Sequence, residues 1–411
     1  MARDVYIMSA LLLLAMPAAA QLALPTPPAV IGQTVDAVAG RAGDAIDASI
    51  SAAERRLANV RIDRIERLVR DNRGKIERDD VGWPARTGEL ILVDSDVAGI
   101  RVASEAGFAL IERERITELE IEIARLAVPS DVSLRTAIRR LRRALPGREI
   151  TSDQLLFPLG NSSAVGLQAS AAASVRSTDT PVGIIDSGVA SVVRLAGSRG
   201  FAEGAPSGAN HGTAVASLLR DAGATRIYAA DVYGNDPAGG GTLAVTRAIS
   251  WLISNRVGII SISLTGNDNA LLRRAVEQAS ARGAIIVAAV GNDGPAAPPA
   301  YPASYPQVIA VTAVDGRNRV LIEAGRALHL DYAAPGADMR ATASDGRRLE
   351  VRGTSYAVPL VSARLAHAID GGQSRVAALA TLDREAMDLG RRGADNRFGR
   401  GLLCGTCRAT R

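Results

Sequence analysis

The stretch Gly353-Thr354-Ser355-Tyr356-Ala357-Val358-Pro359 constrains the chain more than any other. A glycine precedes a Thr-Ser pair, and an apolar helical pattern follows through Val358, Val361, Leu365 and Ile369. That spacing predicts a helix with Ser355 at or near its N-terminus, where backbone N–H groups lack intrahelical partners and the helix dipole is positive. Pro359 is tolerated there because the first turn lacks those hydrogen bonds anyway. A serine so placed can attack a carbonyl while its own N–H steadies the oxyanion that forms.

A serine hydroxyl is a weak nucleophile until a base takes its proton. The chain has three histidines, His211, His329 and His367. His367 lies too far along the predicted helix to reach back to Ser355, and His329 sits in the apolar stretch Ala327-Leu328-His329-Leu330. His211 stands in Asn210-His211-Gly212-Thr213, ahead of an apolar run that predicts a buried helix. An imidazole base needs a carboxylate to orient it. Pro181-Val182-Gly183-Ile184-Ile185-Asp186-Ser187-Gly188 supplies one, as a buried strand ending in Asp186 and a glycine turn.

These three motifs, in the order Asp, His, Ser, resemble those of the subtilisin-like serine proteases, the subtilases. A fourth, Ala288-Ala289-Val290-Gly291-Asn292-Asp293-Gly294, resembles that family's oxyanion segment. Ser263-Leu264-Thr265-Gly266, Tyr301-Pro302-Ala303-Ser304-Tyr305-Pro306, Ala334-Pro335-Gly336 and Phe398 to Leu403 match as well, so the likeness runs from about 180 to 403. The resemblance implies Ser355 as nucleophile, His211 as general base and then acid, and Asp186 as the group fixing the imidazole tautomer. It implies an oxyanion hole from the Asn292 amide and the Ser355 N–H. Ser263, Leu264, Thr265, Gly266, Ala289 and Gly291 would line the substrate groove and bind peptide as an added strand. These residues are small or apolar, which favours apolar or medium side chains before the scissile bond, with Asp293 and the segment Asp231–Gly241 able to alter that preference. Two positions depart from the family's commoner residues, Ala214 and Tyr356.

From Pro181 onward, apolar runs at Val182–Ile185, Arg226–Asp231, Val257–Ser263, Ile285–Val290 and Val308–Val314 alternate with helical patterns around 211–220, 242–255 and 268–282. That alternation predicts an α/β domain, 181–403, with a parallel sheet flanked by helices and its site at the strand C-termini. Upstream, 85–160 reads β-α-β-β-α-β, the ferredoxin-like α+β order. It resembles the inhibitory pro-domain preceding many subtilases; an ordinary accessory domain is the alternative. Its last strand leads straight towards the linker, a course that would let it lie in the substrate cleft as a product-like strand. The Ser-, Ala- and Gly-rich residues 161–180 read as a linker.

Residues 1–20 carry Arg3, an apolar run to Met16 and Pro17-Ala18-Ala19-Ala20, the pattern of a secretory signal; an uncleaved anchor is the alternative. Residues 21–84 read as an extension with a Pro-rich start and an amphipathic helix over about 45–70. Its apolar positions are Ile46, Ile50, Ala53, Leu57, Ile62, Ile65 and Leu68. That helix either rests on its own protein or meets a membrane surface or partner. The expected location is secreted, periplasmic or at the cell envelope, with no stable membrane span.

The formal net charge is +5, Lys75 is the only lysine, and aromatics are 3%. No Arg-rich block is interleaved with aromatics, which argues against nucleic-acid binding. Asp268, Asp315, Asp331 and Asp338 are too scattered for a calcium loop, so no cofactor is expected and a structural calcium ion has no place to be assigned. Cys404 and Cys407, in the 404–411 tail, read as a local disulfide or two idle thiols.

The expected partners are a peptide or protein substrate and the chain's own N-terminal region. The expected function is a secreted serine endopeptidase made as a precursor. The alternatives are a narrow processing protease and a non-catalytic peptide binder on the same fold.

Overall fold

The structure, a computed structural model, describes residue 52 and residues 55–158, 161–164, 176–370 and 372–407. The signal-like segment 1–20 lies outside the described residues, as does most of 21–54.

The first described element is helix α1 (55–71). Next come β1 (Ile76–Arg78), β2 (Pro84–Val93), α2 (Val97–Glu105), β3 (Ala109–Ile116), β4 (Ile121–Ala127), α3 (Leu134–Ala144) and β5 (Ile150–Gln154). All pairings in this sheet are antiparallel: β3 with β4, β4 with β2, and β2 with both β5 and β1. From β2 to β5 this is the β-α-β-β-α-β order. The sheet also takes in β1, which lies in the stretch 21–84 that the sequence marks as an extension. Ile76-Glu77-Arg78 is too short to show periodicity. Asp79 makes the hairpin by accepting from the N–H groups of Val81 (3.1 Å) and Trp83 (2.8 Å).

Both faces of this small sheet are buried, for different reasons. Leu90, Leu92 and Leu126 pack with Leu134, Ile138 and Leu141 of α3 in the unit's own core. Ile91, Val93, Ile121 and Ile123 point the other way and share a core with Ile249, Leu252, Leu272 and Val276. The period-2 alternation of a strand thus divides each strand between two cores.

Two short strands follow, β6 (Phe157–Pro158) and β7 (Asn161–Ala164). The larger domain contains β8 (Val182–Asp186), β9 (Gly197–Gly200), α4 (Asn210–Asp221), β10 (Ile227–Asp231), α5 (Thr242–Ser254), β11 (Ile259–Ile262), β12 (Leu264–Thr265), α6 (Ala270–Ala281), β13 (Ile285–Ala289), β14 (Ile309–Val314), β15 (Tyr332–Pro335), β16 (Met339–Thr342), β17 (Arg348–Arg352), α7 (Val358–Ile369) and α8 (Arg375–Glu385). Seven strands form one sheet in the order β15-β14-β13-β11-β8-β10-β9, with every pairing parallel. Helices α4 and α7 share a core with one face of the sheet, and α5 and α6 share a core with the other. Strands buried on both faces read as unbroken apolar runs, which is why the sequence announces them.

Residues 161–164, which the sequence marks as linker, are strand β7, paired antiparallel with β17. Asn161-Ser162-Ser163-Ala164 has no apolar alternation; its pairing partner is an existing strand, and backbone hydrogen bonds leave no mark on composition. Cys404 and Cys407 are joined in a disulfide.

The small unit also completes helix ends in the larger domain. Gly241 caps α5 with no side chain. The buried Asp153 does it instead, its Oδ1 accepting from Leu243 N–H at 2.9 Å and Thr242 Oγ1 at 3.1 Å. Burial pushes the Asp153 carboxyl up, with the Leu243 N–H and Arg86 pulling the other way. Asn269 caps α6 through Oδ1, and its Nδ2 donates to Thr151 Oγ1 at 2.7 Å and Ser152 O at 3.1 Å. Asn269→Ala removes a helix cap and leaves buried acceptors unpaired, so it should destabilise the full chain by about 2–3 kcal/mol. Denaturant melts check this, with a loss below half of that figure counting against the dual role.

Candidate active site

Asp186, the last residue of β8, is fully buried. Its Oδ1 accepts from Ser187 N–H at 2.7 Å and Ser187 Oγ at 3.1 Å, and lies 2.7 Å from His211 Nδ1. A carboxylate at that distance takes the Nδ1 proton of the imidazole as a hydrogen bond, which leaves Nε2 as the ring's basic atom. The bonds to Oδ1 hold the carboxylate; its buried Oδ2 has no hydrogen-bond partner among the described residues.

His211 reaches Asp186 because α4 starts against the turn after β8. Gly212 N–H donates to Ser187 Oγ at 3.0 Å, and a Cβ on Gly212 would sit 2.0 Å from Ser187 O. Only glycine allows that approach. The other side of His211 faces Tyr356, with ring centroids 5.6 Å apart. Tyr356 is 1% exposed, so this departure from the family's commoner residue is packed inward rather than projecting into a cleft.

Ser355 lies in the short helical turn Thr354–Tyr356 that leads into α7. Its Oγ donates to Ser263 O at 3.1 Å, and Ser263 Oγ donates to Ser355 O at 2.8 Å. The turn holding Ser355 is thus tied reciprocally to the end of β11. Asn292, beyond the end of β13, accepts at Oδ1 from Thr354 N–H (2.9 Å) and Thr354 Oγ1 (3.0 Å). With its oxygen engaged, the amide's remaining capacity is the Nδ2 donor.

The predicted groove residues divide. Leu264 and Thr265 form β12, and Thr265, Gly266 and Gly291 line a small cavity of about 30 Å³ with Val290 and Asp293. Ala289 instead packs in the core beside α7 residues, because alternation along β13 turns it away from Val290. Ser263 serves as the tether to Ser355. Asp293, which the sequence marks only as a modifier of preference, is a wall of the cavity.

The cleft is occupied by the chain itself. Leu155 bridges Gly241, and Leu156 N–H donates to Gly240 O at 2.9 Å. The Tyr233 hydroxyl, pushed up by burial and by Asp186 and Asp231, donates to Leu156 O at 2.6 Å. On the other side β6 pairs antiparallel with β12, Phe157 opposite Thr265 and Pro158 opposite Leu264. Residues 155–158 therefore lie as an extra strand between two edges of the larger domain.

Residues 177–401 match the model of the peptidase S8 group, described as the subtilase family. The chain belongs to the subtilase family. The minor extracellular protease Epr of Bacillus subtilis (strain 168) is 29% identical over 318 residues, covering 73% of this chain and 49% of that protein. The subtilisin of Bacillus pumilus is 32% identical over 207 residues, 45% of this chain and 74% of that one. The chain thus spans about half the length of Epr. Among solved structures, fervidolysin from Fervidobacterium pennivorans, a keratinolytic enzyme related to subtilisin, superposes with a TM-score of 0.64. The likeness covers 79% of this chain and 61% of that one, at 17% identity, and concerns the fold.

No group of three or more His, Cys, Asp or Glu side chains among the described residues is arranged to hold a metal ion. No helix among them is long and apolar enough to cross a membrane. Gly212→Ala should force α4 off the Ser187 turn at a cost of about 1–3 kcal/mol. Unchanged denaturant stability would show that the turn yields without strain.

Proposed function

We propose that this subtilase is a serine endopeptidase made as a precursor, with residues 76–158 as its inhibitory pro-unit and Asp186, His211 and Ser355 as its catalytic residues. The observation that carries the reading is the extra strand at 155–158. The groove beside Ser355 takes an extended polypeptide by backbone pairing on both sides, the way a substrate of arbitrary sequence must be held.

The Ser355 Oγ–H leaves the Ser263 carbonyl and gives its proton to His211 Nε2 as Oγ attacks the peptide carbonyl carbon. Asp186 holds Nδ1–H and stabilises the imidazolium. The oxyanion is met by the Asn292 Nδ2 donor and the Ser355 N–H, whose place at a helix start leaves it without an intrahelical partner. The C–N bond then breaks, and His211 returns the proton to the leaving amine. Water next attacks the acyl-serine, His211 again taking a proton and giving it back to Ser355 Oγ. No cofactor takes part in this scheme. Export to the cell exterior or envelope fits the sequence of residues 1–20, and Epr is by its name extracellular.

Strand β17, which runs into the Gly353-Thr354-Ser355 turn, pairs Arg352 with Asn161, while Pro158 faces Leu264, the neighbour of Ser263. Both neighbours of Ser355 thus hold the chain, one before residue 159 and one after residue 160. Maturation should cut between Pro158 and Asn161, giving a new N-terminus at Leu159, Gly160 or Asn161 by intact-mass measurement. Ser355→Ala should fold, remain uncut when purified alone, and fail to take a fluorophosphonate label. A cut elsewhere, or maturation of the alanine variant, would overturn the assignment.

A base acting through neutral imidazole requires activity to rise with pH through the histidine range. Asp186→Asn should lower kcat by about 10⁴, the scale of loss when a triad imidazole is held in the wrong tautomer, with little change in KM. A profile that rises as pH falls would count against His211.

A further inference from the structure

Helix α1 precedes the small sheet and belongs to neither core, yet one of its faces is covered. Its buried and half-buried positions include Leu57, Arg61, Arg64, Ile65 and Leu68, at helical spacing, while Ile62 is 47% exposed. An amphipathic helix that turns two arginines inward and an isoleucine outward is placed by more than apolar burial.

The additional partner is Asp293. Arg64 Nη2 donates to both of its carboxylate oxygens, at 3.1 and 3.0 Å, and Arg61 Nε lies 3.6 Å from Oδ2. Arg61 also lines the cavity formed by Thr265, Gly266, Gly291 and Asp293, with Trp83 beside it. Leu57 reaches Gly294 closely enough that a Cβ there would meet Leu57 Cδ1 at 2.9 Å.

The same helix backs the strand in the cleft. The Arg64 guanidinium lies 5.5 Å from the Phe157 ring centroid, and Arg61 5.3 Å from that of Trp83. Trp83 Nε1 donates to Leu155 O at 2.8 Å, and Leu68 and Val69 pack with Leu155 and Phe157. Residues 155–158 are therefore paired edgewise with the larger domain, and α1 backs them at Leu155 and Phe157.

We propose that the surface of the larger domain around Asp293 and Gly294 is a docking site for a basic amphipathic helix, and that α1, seated there, is a strap that holds the cleft strand in place and slows its release. The strap is distinct from the pro-unit sheet, and its effect on activity rests on the protease reading above. Its grip is the Arg61–Asp293–Arg64 cluster, partly exposed and therefore weakened by salt. Cutting the chain between Pro158 and Asn161 leaves α1 and β6 on the same fragment, so the cleft stays filled until α1 lets go.

Two measurements on the full chain test this. In the Ser355→Ala background, hydrogen exchange of residues 57–69 should be about tenfold faster with Arg61→Ala/Arg64→Ala, the change expected when a partly buried charge cluster worth about 1.4 kcal/mol is lost. Alanine is the better helix former, so faster exchange reads loss of docking. Arg67→Ala, on the exposed face, should change nothing. In the active chain, the lag between purification and peptide hydrolysis should shorten about tenfold in Arg61→Ala/Arg64→Ala, following the same loss. With Asp293→Asn already present, the arginine changes should add little further shortening.

Unchanged exchange overturns the docking site. Faster exchange with an unchanged lag overturns the strap. If no chain, wild type included, ever hydrolyses peptide, the protease reading fails and the claim on release fails with it, while the exchange measurement still decides the docking site.

Discussion

The site depends on one buried carboxylate. Asp186 Oδ1 is shared by Ser187 N–H, Ser187 Oγ and His211 Nδ1 within 3.1 Å, in a place from which water is excluded. The two serine donors stabilise the negative charge that makes the carboxylate useful to the imidazole. Around it, three strands of the parallel sheet, β8, β11 and β13, each end in a segment bonded to another part of the site. Asp186 meets α4, Ser263 meets Ser355, and Asn292 meets Thr354. A parallel sheet makes this economical: all three strand C-termini open on the same edge, so short connections suffice to bring distant residues together.

What the sequence discloses follows from what each feature needs chemically. Asp186, His211, Asn292 and Ser355 stand in motifs whose neighbours are constrained too: glycines where backbones approach, apolar runs where strands are buried on both faces. Elements held mainly by backbone or by distant charge leave no such trace. Strand β7 is Asn-Ser-Ser-Ala, polar enough to read as linker, and exists because β17 offers it an edge. Arg61 and Arg64 carry no local sign of their partner, because the carboxylate lies 229 residues from Arg64. Ile62 misleads in the opposite sense, an apolar residue whose type assigns it to the covered side and which stands nearly half exposed. The one sequence signal available is the covered spacing itself: Leu57, Arg61, Arg64 and Leu68 fall on one helical face, and Asp293 stands in the oxyanion segment.

The small sheet and the larger domain are interdependent at the level of single hydrogen bonds. Helix α5 takes its cap from Asp153 and helix α6 adds to its own cap three acceptors across the boundary, Thr151, Ser152 and Gln154. Arg86 sits between Glu89, Asp153 and Asp236, joining both sides in one charge cluster. Loss of the small unit would expose Ile91, Val93, Ile121 and Ile123 along with the apolar faces of α5 and α6, and would return the first N–H groups of α5 to water. Docking is therefore strong by apolar burial and specific by capping.

That division of labour gives the two sides of the proposed cut unequal fates. On the downstream side, β7 holds β17 through four residue pairs and belongs to the same stretch of chain as the larger domain. On the upstream side, β6 pairs through only two residues, yet Leu155 and Leu156 extend the contact to Gly240 and Gly241, and α1 and the whole small sheet stand behind it. Hydrolysis would thus leave β7 on the larger domain's own chain and β6 on a fragment held there by non-covalent contacts alone. A groove that binds polypeptide through backbone bonds cannot distinguish its own strand from another by sequence; it distinguishes them by what else the strand is attached to. On the proposed reading, the strand at 155–158 is a substrate-like segment whose departure is slowed by contacts outside the groove, and the two edges flanking the groove need no feature of their own to tell it from another strand.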